Sequence, residues 1–245
     1  MSINYSSKDN RIKYIYQKNA ERSIARNNGI KFAKGKWICF LDSDDEYSQH
    51  HLSSFHDIIT QSQSDIYVTG VTVNKNGKGA DLEFEKIKTN NQTFFFQNSI
   101  VPGRVCIKKN VLNNFKFDPN FRISEDTDLL VRLSCKHTKI QFTNKHTLIY
   151  TSHDDNSVNY KKFNSYYDRK KTLKKILKKD DVYGIDKKIA RQTINDCNFG
   201  IIKFYLFKNH SIKAYSIVLQ SILENPFYRL KEKLYLLYNI KSLIR

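Results

Sequence analysis

The feature that most restricts this chain's fold is a short apolar run, Trp37-Ile38-Cys39-Phe40-Leu41, that stops abruptly at Asp42-Ser43-Asp44-Asp45. A continuous run of this length reads as a strand covered on both faces, as in a parallel sheet. In open α/β sheets, ligands bind beyond the carboxyl ends of the strands, which is where this acidic cluster falls. Two carboxylates at i, i+2 can offer oxygen ligands to a hard divalent cation, and such a cation can bridge to phosphates. The competing reading is plainer: Asp44 or Asp45 caps the helix that follows. An EF-hand loop does not fit, because no Gly or position-12 Glu occurs at the required spacing.

The flanking segments alternate between strand and helix signals. Arg11–Tyr16 alternates like a strand. From Ser23 a helix is expected, with Ser23 as its cap, Ile24, Gly29/Ile30 and Ala33 at helical spacing, and Gly35 at the left-handed C′ position. After the acidic cluster, a helix is predicted over His51–Thr60, a strand over Asp65–Val73 and a loop over Asn74–Ala80. Further on come a helix around Val105–Asn113 and a helix over Thr127–Cys135. Strands are predicted at Lys139–Phe142 and Thr147–Thr151. Near Tyr160 the composition shifts, and the rest of the chain is helical and Lys-rich. The expected organisation is an α/β core over 1–158 and a basic helical region over 159–245.

Charge narrows the functional classes. The 245 residues carry a formal net charge of +18, which suits nucleic acid, an anionic membrane surface or an acidic ligand. No nucleic-acid motif accompanies the charge, so a nucleic-acid partner is not expected. The positive charge concentrates in Lys161–Lys179 and Pro226–Arg245. The first reads as a packed helix with a solvated face. In the second, Phe227, Leu230, Leu234 and Leu237 form an apolar stripe with Arg229, Lys231, Lys233, Lys241 and Arg245 mostly off it. That pattern suits a helix lying on an anionic membrane. No apolar run approaches the roughly 20 residues needed to span a bilayer. The four cysteines, Cys39, Cys106, Cys135 and Cys197, form no CxxC pair and read as reduced, mostly buried thiols. The expected location is cytoplasmic, peripheral on the inner face of the plasma membrane.

Read together, Ala25-Arg26-Asn27-Asn28-Gly29-Ile30 and Ala33-Lys34-Gly35-Lys36-Trp37-Ile38-Cys39-Phe40-Leu41-Asp42-Ser43-Asp44-Asp45 resemble the core signature of the family 2 glycosyltransferases, ARNxGIxxAxGxxIxFLDSDD. Phe117-Asp118 and Ser124-Glu125-Asp126-Thr127-Asp128-Leu129 resemble that family's FD…ED segment. Tyr150-Thr151-Ser152-His153 and Ser157 resemble its exit from the last core strand. The resemblance covers roughly residues 9–158.

It implies a GT-A fold, a Rossmann-like mixed sheet between helices, here with a helical C-terminal extension. It also implies an inverting glycosyltransferase of hexosyltransferase type, which moves a sugar from a nucleotide-sugar donor, a UDP-sugar, to a glycan or lipid-linked acceptor. Bacterial cell-surface polysaccharide synthesis is the setting it suggests. On that basis Asp126 is the general base and Glu125 helps position the acceptor. Arg26, Asn27 and Asp42 lie on the nucleotide-sugar, and Asp44 holds Mg²⁺ or Mn²⁺, with His153 completing the metal or diphosphate site. The residues agree: inversion needs one carboxylate on the acceptor side and one cation on the leaving-group side. For Asp126 the alternative role is a first-turn helix acid.

The chain departs from the family in one respect. The strands ending in PxYN and DDGS, which make the first βαβ unit, are not found, and Ser6–Asn10 is at most a remnant of the second. The core is therefore expected to be N-terminally incomplete. The rival expectations are an inactive glycosyltransferase fragment, or a basic membrane-surface binding protein whose acidic motif is only structural.

Overall fold

In a computed structural model, which describes residues 5–75, 78–82, 94–97, 101–121, 125–136, 138–152, 158–178 and 184–244, the apolar run forms strand β1 (Trp37–Cys39). Its partner overturns the parallel-sheet expectation. β1 pairs antiparallel with β5 (Val105–Lys108), placing Cys39 opposite Cys106. β5 pairs antiparallel with β3 (Ile66–Lys75). β3 runs parallel to β6 (Ile140–Ser152), and β6 takes the two-residue β2 (Glu46–Tyr47) antiparallel on its other side. The order is β1-β5-β3-β6-β2, with β4 (Lys78–Leu82) paired to β3. The sheet is mixed, as the resemblance implies. The apolar continuity of the run reports burial on both faces and not strand direction. Ile38 enters the main core, while Trp37 and Cys39 pack with Phe55, Ile58 and Tyr67 on the other side.

Helix α1 (Glu21–Phe32) starts two residues before Ser23, so Ala20 occupies the cap position and Ser23 lies inside the helix. The Ser23 hydroxyl donates instead to the Asp118 carbonyl at 3.3 Å. At its other end Ala33 is the C-cap in extended conformation, and Gly35 plays no left-handed role. Helix α2 (His51–Gln61) matches expectation, burying His51, Ser54, Phe55 and Ile58 at i, i+3, i+4 and i+7.

Three other elements differ from the sequence reading. Residues 11–16 form no strand; Ile12, Tyr14, Ile15 and Tyr16 are exposed, and the alternation finds no ladder partner. The helix expected at Val105–Asn113 divides. Its β-branched start, Val105 and Ile107, joins the sheet as β5, and only α4 (Lys109–Asn114) is helical. The two strands expected after 139 are one, and β6 is uninterrupted. The β3–β6 register shifts around Gly70, where an added Cβ would lie 2.1 Å from the His146 ring and would require that ring to move. The loop expected at Asn74–Ala80 falls at the β3–β4 hairpin, with residues 76–77 outside the described residues.

α3 (Phe94–Gln97) adds Phe95 and Phe96 to the main core, and α5 (Glu125–Ser134) closes over it with Leu129, Leu130, Val131 and Leu133. After the sheet the described chain is helical: α6 (Val158–Leu177), α7 (Gly184–Phe207), α8 (Ser211–Glu224) and α9 (Leu230–Ile244). Each packs on the one before it. The last helix corrects the stripe read from the sequence. Lys233, expected in solvent, is 1 % exposed, and its Nζ donates to the Ser221 and Asn225 carbonyls at 2.9 and 2.6 Å. These are last-turn acceptors of α8 that a cation satisfies well. Leu236 and Leu237 pack inward, while Phe227, Leu234, Tyr235 and Tyr238 face out.

Candidate active site

The sheet brings the end of β1, the first turn of α5 and the face of α1 together. Arg26 of α1 is the link. One terminal nitrogen (Nη2) donates to both Asp42 carboxylate oxygens, at 2.7 and 3.0 Å, and the other (Nη1) to Glu125 Oε1 at 2.6 Å. The side chains of Arg26 and Glu125 are only 9 % and 4 % exposed, and that of Asp42 is 33 % exposed. Arg22, one turn earlier, reaches the same glutamate at 3.5 Å. The Arg26 guanidinium also lies over the Phe117 ring at 5.4 Å. In such a pair of buried, hydrogen-bonded charges each compensates part of the other's desolvation.

Asn27 points to a different task. Its amide donates to the Phe117 carbonyl at 2.9 Å and accepts from the Phe117 N–H at 3.0 Å. Both ends of the side chain are thereby used, and the loop before Asp118 is pinned to α1.

The acidic cluster divides by role. Asp45 is buried and accepts the Thr151 N–H at 3.2 Å, tying the cluster to β6. The Asp45 N–H closes a turn onto the Asp42 carbonyl. Asp44 is exposed. Neither caps α2, whose N-cap is His50. Asp42 is held by Arg26 and Asp45 accepts from the backbone; the exposed Asp44 carboxylate is a hard oxygen donor of the type that suits Mg²⁺ or Mn²⁺. No group of three or more metal-binding side chains assembles among the described residues. His153 lies outside the described residues.

Asp126 is a site acid whose pKa is raised. It is half-buried in the first turn of α5 and borders a narrow recess walled by Phe40, Pro102, Phe117 and Leu129. Burial, and next the Glu125 charge, push its pKa up to about 6, against the Thr127 N–H it accepts at 2.6 Å. A carboxylate raised towards neutral is a stronger base than an ordinary one yet is still ionised at pH 7.

Three contributors were not singled out from the sequence. Tyr150 on β6 has its hydroxyl pKa raised by burial and then by the charges of Asp45, Asp44, Asp42 and Asp126, so it lies within electrostatic reach of all four carboxylates. Arg22 doubles the hold on Glu125. Arg169 of α6 is buried and feels the Asp126 charge, which ties the helical region to the site. Tyr150 opens the strand-exit pattern, which does not by itself mark it as a site residue; Arg169 has no local signal, and only the Arg22–Arg26 interval, one helical turn, could have suggested a shared partner.

Comparison with known proteins bears on the family and the fold. Residues 3–115 match the family model for Glycosyl transferase family 2. Among curated proteins, glycosyltransferase GlyA of Streptococcus pneumoniae is 41% identical over 64 residues, covering 26% of this chain and 9% of the relative. The minor teichoic acid biosynthesis protein GgaB of Bacillus subtilis is 28% identical over 128 residues, covering 49% and 14%. An uncharacterized glycosyltransferase of Methanocaldococcus jannaschii is 28% identical over 155 residues, covering 60% and 52%. The chain thus spans about half or less of the length of these relatives. Among solved structures, S. aureus TarS residues 1–349 in complex with UDP-GlcNAc aligns with a TM-score of 0.61 at 16% identity, covering 91% of this chain and 68% of that one. The complex of the same protein with UDP aligns at 0.60. The shared architecture is the GT-A fold.

Proposed function

We propose, from the match of residues 3–115 to the family model for Glycosyl transferase family 2 and from the GT-A architecture shared with TarS, that the chain is an inverting glycosyltransferase that uses a nucleotide-sugar donor. One observation carries the reading. Of two adjacent acids at the end of the sheet, Glu125 is locked by two arginines while Asp126 is left with a pKa of about 6. Asp126 takes the proton of an acceptor hydroxyl as that oxygen bonds to the anomeric carbon. The bond from that carbon to the nucleoside diphosphate breaks on the opposite face and its electron pair leaves with the diphosphate. One displacement inverts the configuration. Glu125 acts through Arg26, fixing the first turn of α5 and hence Asp126, and Asp42 meets the nucleotide with Arg26 behind it. Asn27 supports that pocket by holding the loop at Phe117.

Asp44 would hold Mg²⁺ or Mn²⁺, which when bound neutralises charge developing on the diphosphate. A uridine nucleotide is favoured because the TarS neighbours were solved with UDP-GlcNAc and UDP. The acceptor is a glycan or a lipid-linked glycan, and the similarity to GgaB favours cell-surface polysaccharide synthesis. A membrane-surface location is supported by α9, which turns Tyr235 and Tyr238 outwards at 70% and 78% exposure beside Phe227 and basic residues. No helix among the described residues is long and apolar enough to cross a membrane.

The test is release of UDP from a panel of UDP-sugars with Mn²⁺, followed by NMR assignment of the product's anomeric configuration. Release with inverted configuration is the expected result. A retained configuration, or no release from any member of the panel, refutes the proposal.

A further inference from the structure

Away from the carboxylates, Lys170, Lys171, Lys174 and Lys175 of α6, with Lys178 just past its end, line a cleft of about 520 Å³ whose floor includes Ile201 of α7 and Ile217 of α8. Two of these lysines are neutralised: Lys174 pairs with Glu224 at 2.6 Å and Lys175 with Asp118 at 2.7 Å. Lys170, Lys171 and Lys178 have no ion pair among the described residues. Lys170 carries the strongest indication of a missing counter-charge. Burial, and next the charge of Lys174, push its pKa down, with Glu224 only partly opposing them. An ammonium withdrawn from water beside another cation is short of an anion.

The cleft also has a direction. The unpaired Lys170 and Lys178 stand about 12 Å apart along the helix direction, with Lys174 and its partner Glu224 between them. This interval suits a linear ligand with repeated negative charge better than a single phosphate. Its rim joins the catalytic side of the molecule: Lys171 and Lys175 lie over the Phe121 ring at 4.9 and 5.2 Å. Lys175 also holds Asp118, in the segment that Ser23 and Asn27 pin beside Arg26. A flat bilayer would meet lysines on an open face, whereas these line a hollow with an apolar floor, which accepts the carbon skeleton of a polymer.

We infer that this cleft binds a linear polyanion, a chain of phosphodiester- or carboxylate-bearing units, and guides it as acceptor towards Asp126. The acceptor role rests on the glycosyl-transfer reading, while the binding rests on the cleft alone.

The probe is a glycerol phosphate oligomer long enough to span the lysine row, titrated by calorimetry at several salt concentrations. Three unpaired lysines give the wild type a log–log salt slope of about 2. The variant Lys170→Gln/Lys171→Gln/Lys178→Gln should lose binding by roughly tenfold or more and flatten that slope. Its melting temperature and its basal UDP release from the donor should be unchanged. If the triple variant misfolds, Lys171→Gln alone, at an exposed position, should still weaken binding.

Failure of the oligomer to bind the wild type, or equal binding by the variants, overturns the inference. So does lysine-dependent binding of phosphatidylglycerol vesicles without binding of the soluble oligomer. Lysine-dependent oligomer binding with no UDP release by either protein would leave the cleft standing and refute the glycosyl-transfer reading instead.

Discussion

Replacing Asp126 by Asn should slow transfer sharply and make the protein more stable, and the second effect can be sized from the structure. The carboxyl has an ordinary pKa of 3.8 and a folded value of about 6. At 1.36 kcal/mol per pKa unit the gap corresponds to roughly 3 kcal/mol. Partial solvent contact and local relaxation reduce that to about 1–2 kcal/mol. The sign follows from proton binding. Because the folded pKa is raised, the native state retains a proton between pH 3.8 and about 6 that the unfolded chain has lost. Stability therefore falls as pH rises through that window, and the full penalty applies above it.

Asn carries no charge at any pH and can still accept the Thr127 N–H. The variant should melt higher than wild type at pH 8, by roughly 2–8 °C for a chain of this length. The difference should shrink to nothing near pH 4. Transfer should meanwhile fall by about 10²–10⁴-fold. In the wild type, kcat/KM should rise with pH through an apparent pKa of about 6. Thermal unfolding at pH 4, 6 and 8, read beside UDP release, makes the comparison. A variant less stable than wild type at pH 8 would mean that Asp126 is a favourable first-turn acid, and the assignment as base would fail.

Asp44→Ala should leave the melting temperature unchanged but remove the dependence of UDP affinity on Mn²⁺, measured by calorimetry with and without the ion; equal metal dependence in both proteins reassigns Asp44. Arg26→Met should destabilise by about 3 kcal/mol, because it leaves the buried Glu125 carboxylate with only the longer contact to Arg22, and Glu125→Gln in the same chain should recover part of the loss in a chemical denaturation cycle. Tyr235→Ser/Tyr238→Ser should reduce sedimentation with anionic vesicles at low salt without lowering the melting temperature; equal sedimentation of variant and wild type removes α9 as a membrane contact. Deleting the helix would be uninformative, since Leu236, Leu237 and Ile240 pack against α8.

What the sequence disclosed about the fold was what short-range spacing can encode. The buried i, i+3, i+4, i+7 row of α2, the α5 helix and the helical stretch after 158 were all legible, because one face of each element is read within a few residues. Partner choice was not. The Trp37–Leu41 run announced burial on two faces, and an antiparallel neighbour meets that condition as well as a parallel one. Residues 11–16 alternate convincingly, yet alternation stabilises a strand only where a ladder receives it. Cys39 and Cys106 looked unrelated and face each other across β1 and β5. Lys233 shows the limit from the other side: a lysine on a surface helix is expected in water, and only the position of the α8 carbonyls explains its burial.

The candidate site was legible in its residue types and less so in how those residues act. Arg26 and Asn27 stand at fixed offsets before the acidic cluster, and an offset cannot say whether a side chain touches ligand or scaffold. The structure supplies a reason for the offsets that needs no ligand. Arg22 and Arg26 are one turn apart on α1 and converge on Glu125, while Asn27, on the neighbouring face, fixes Phe117. Three side chains within two turns therefore brace the end of β1 through Asp42, the loop at Phe117 and the first turn of α5. Each attachment is buried or half-buried, where a lost partner costs most. A base that must sit within hydrogen-bond reach of a hydroxyl gains from this arrangement. Its position is set by a rigid helix on the far side of the acid pair, and Asp126 itself keeps the unpaired charge that proton transfer requires.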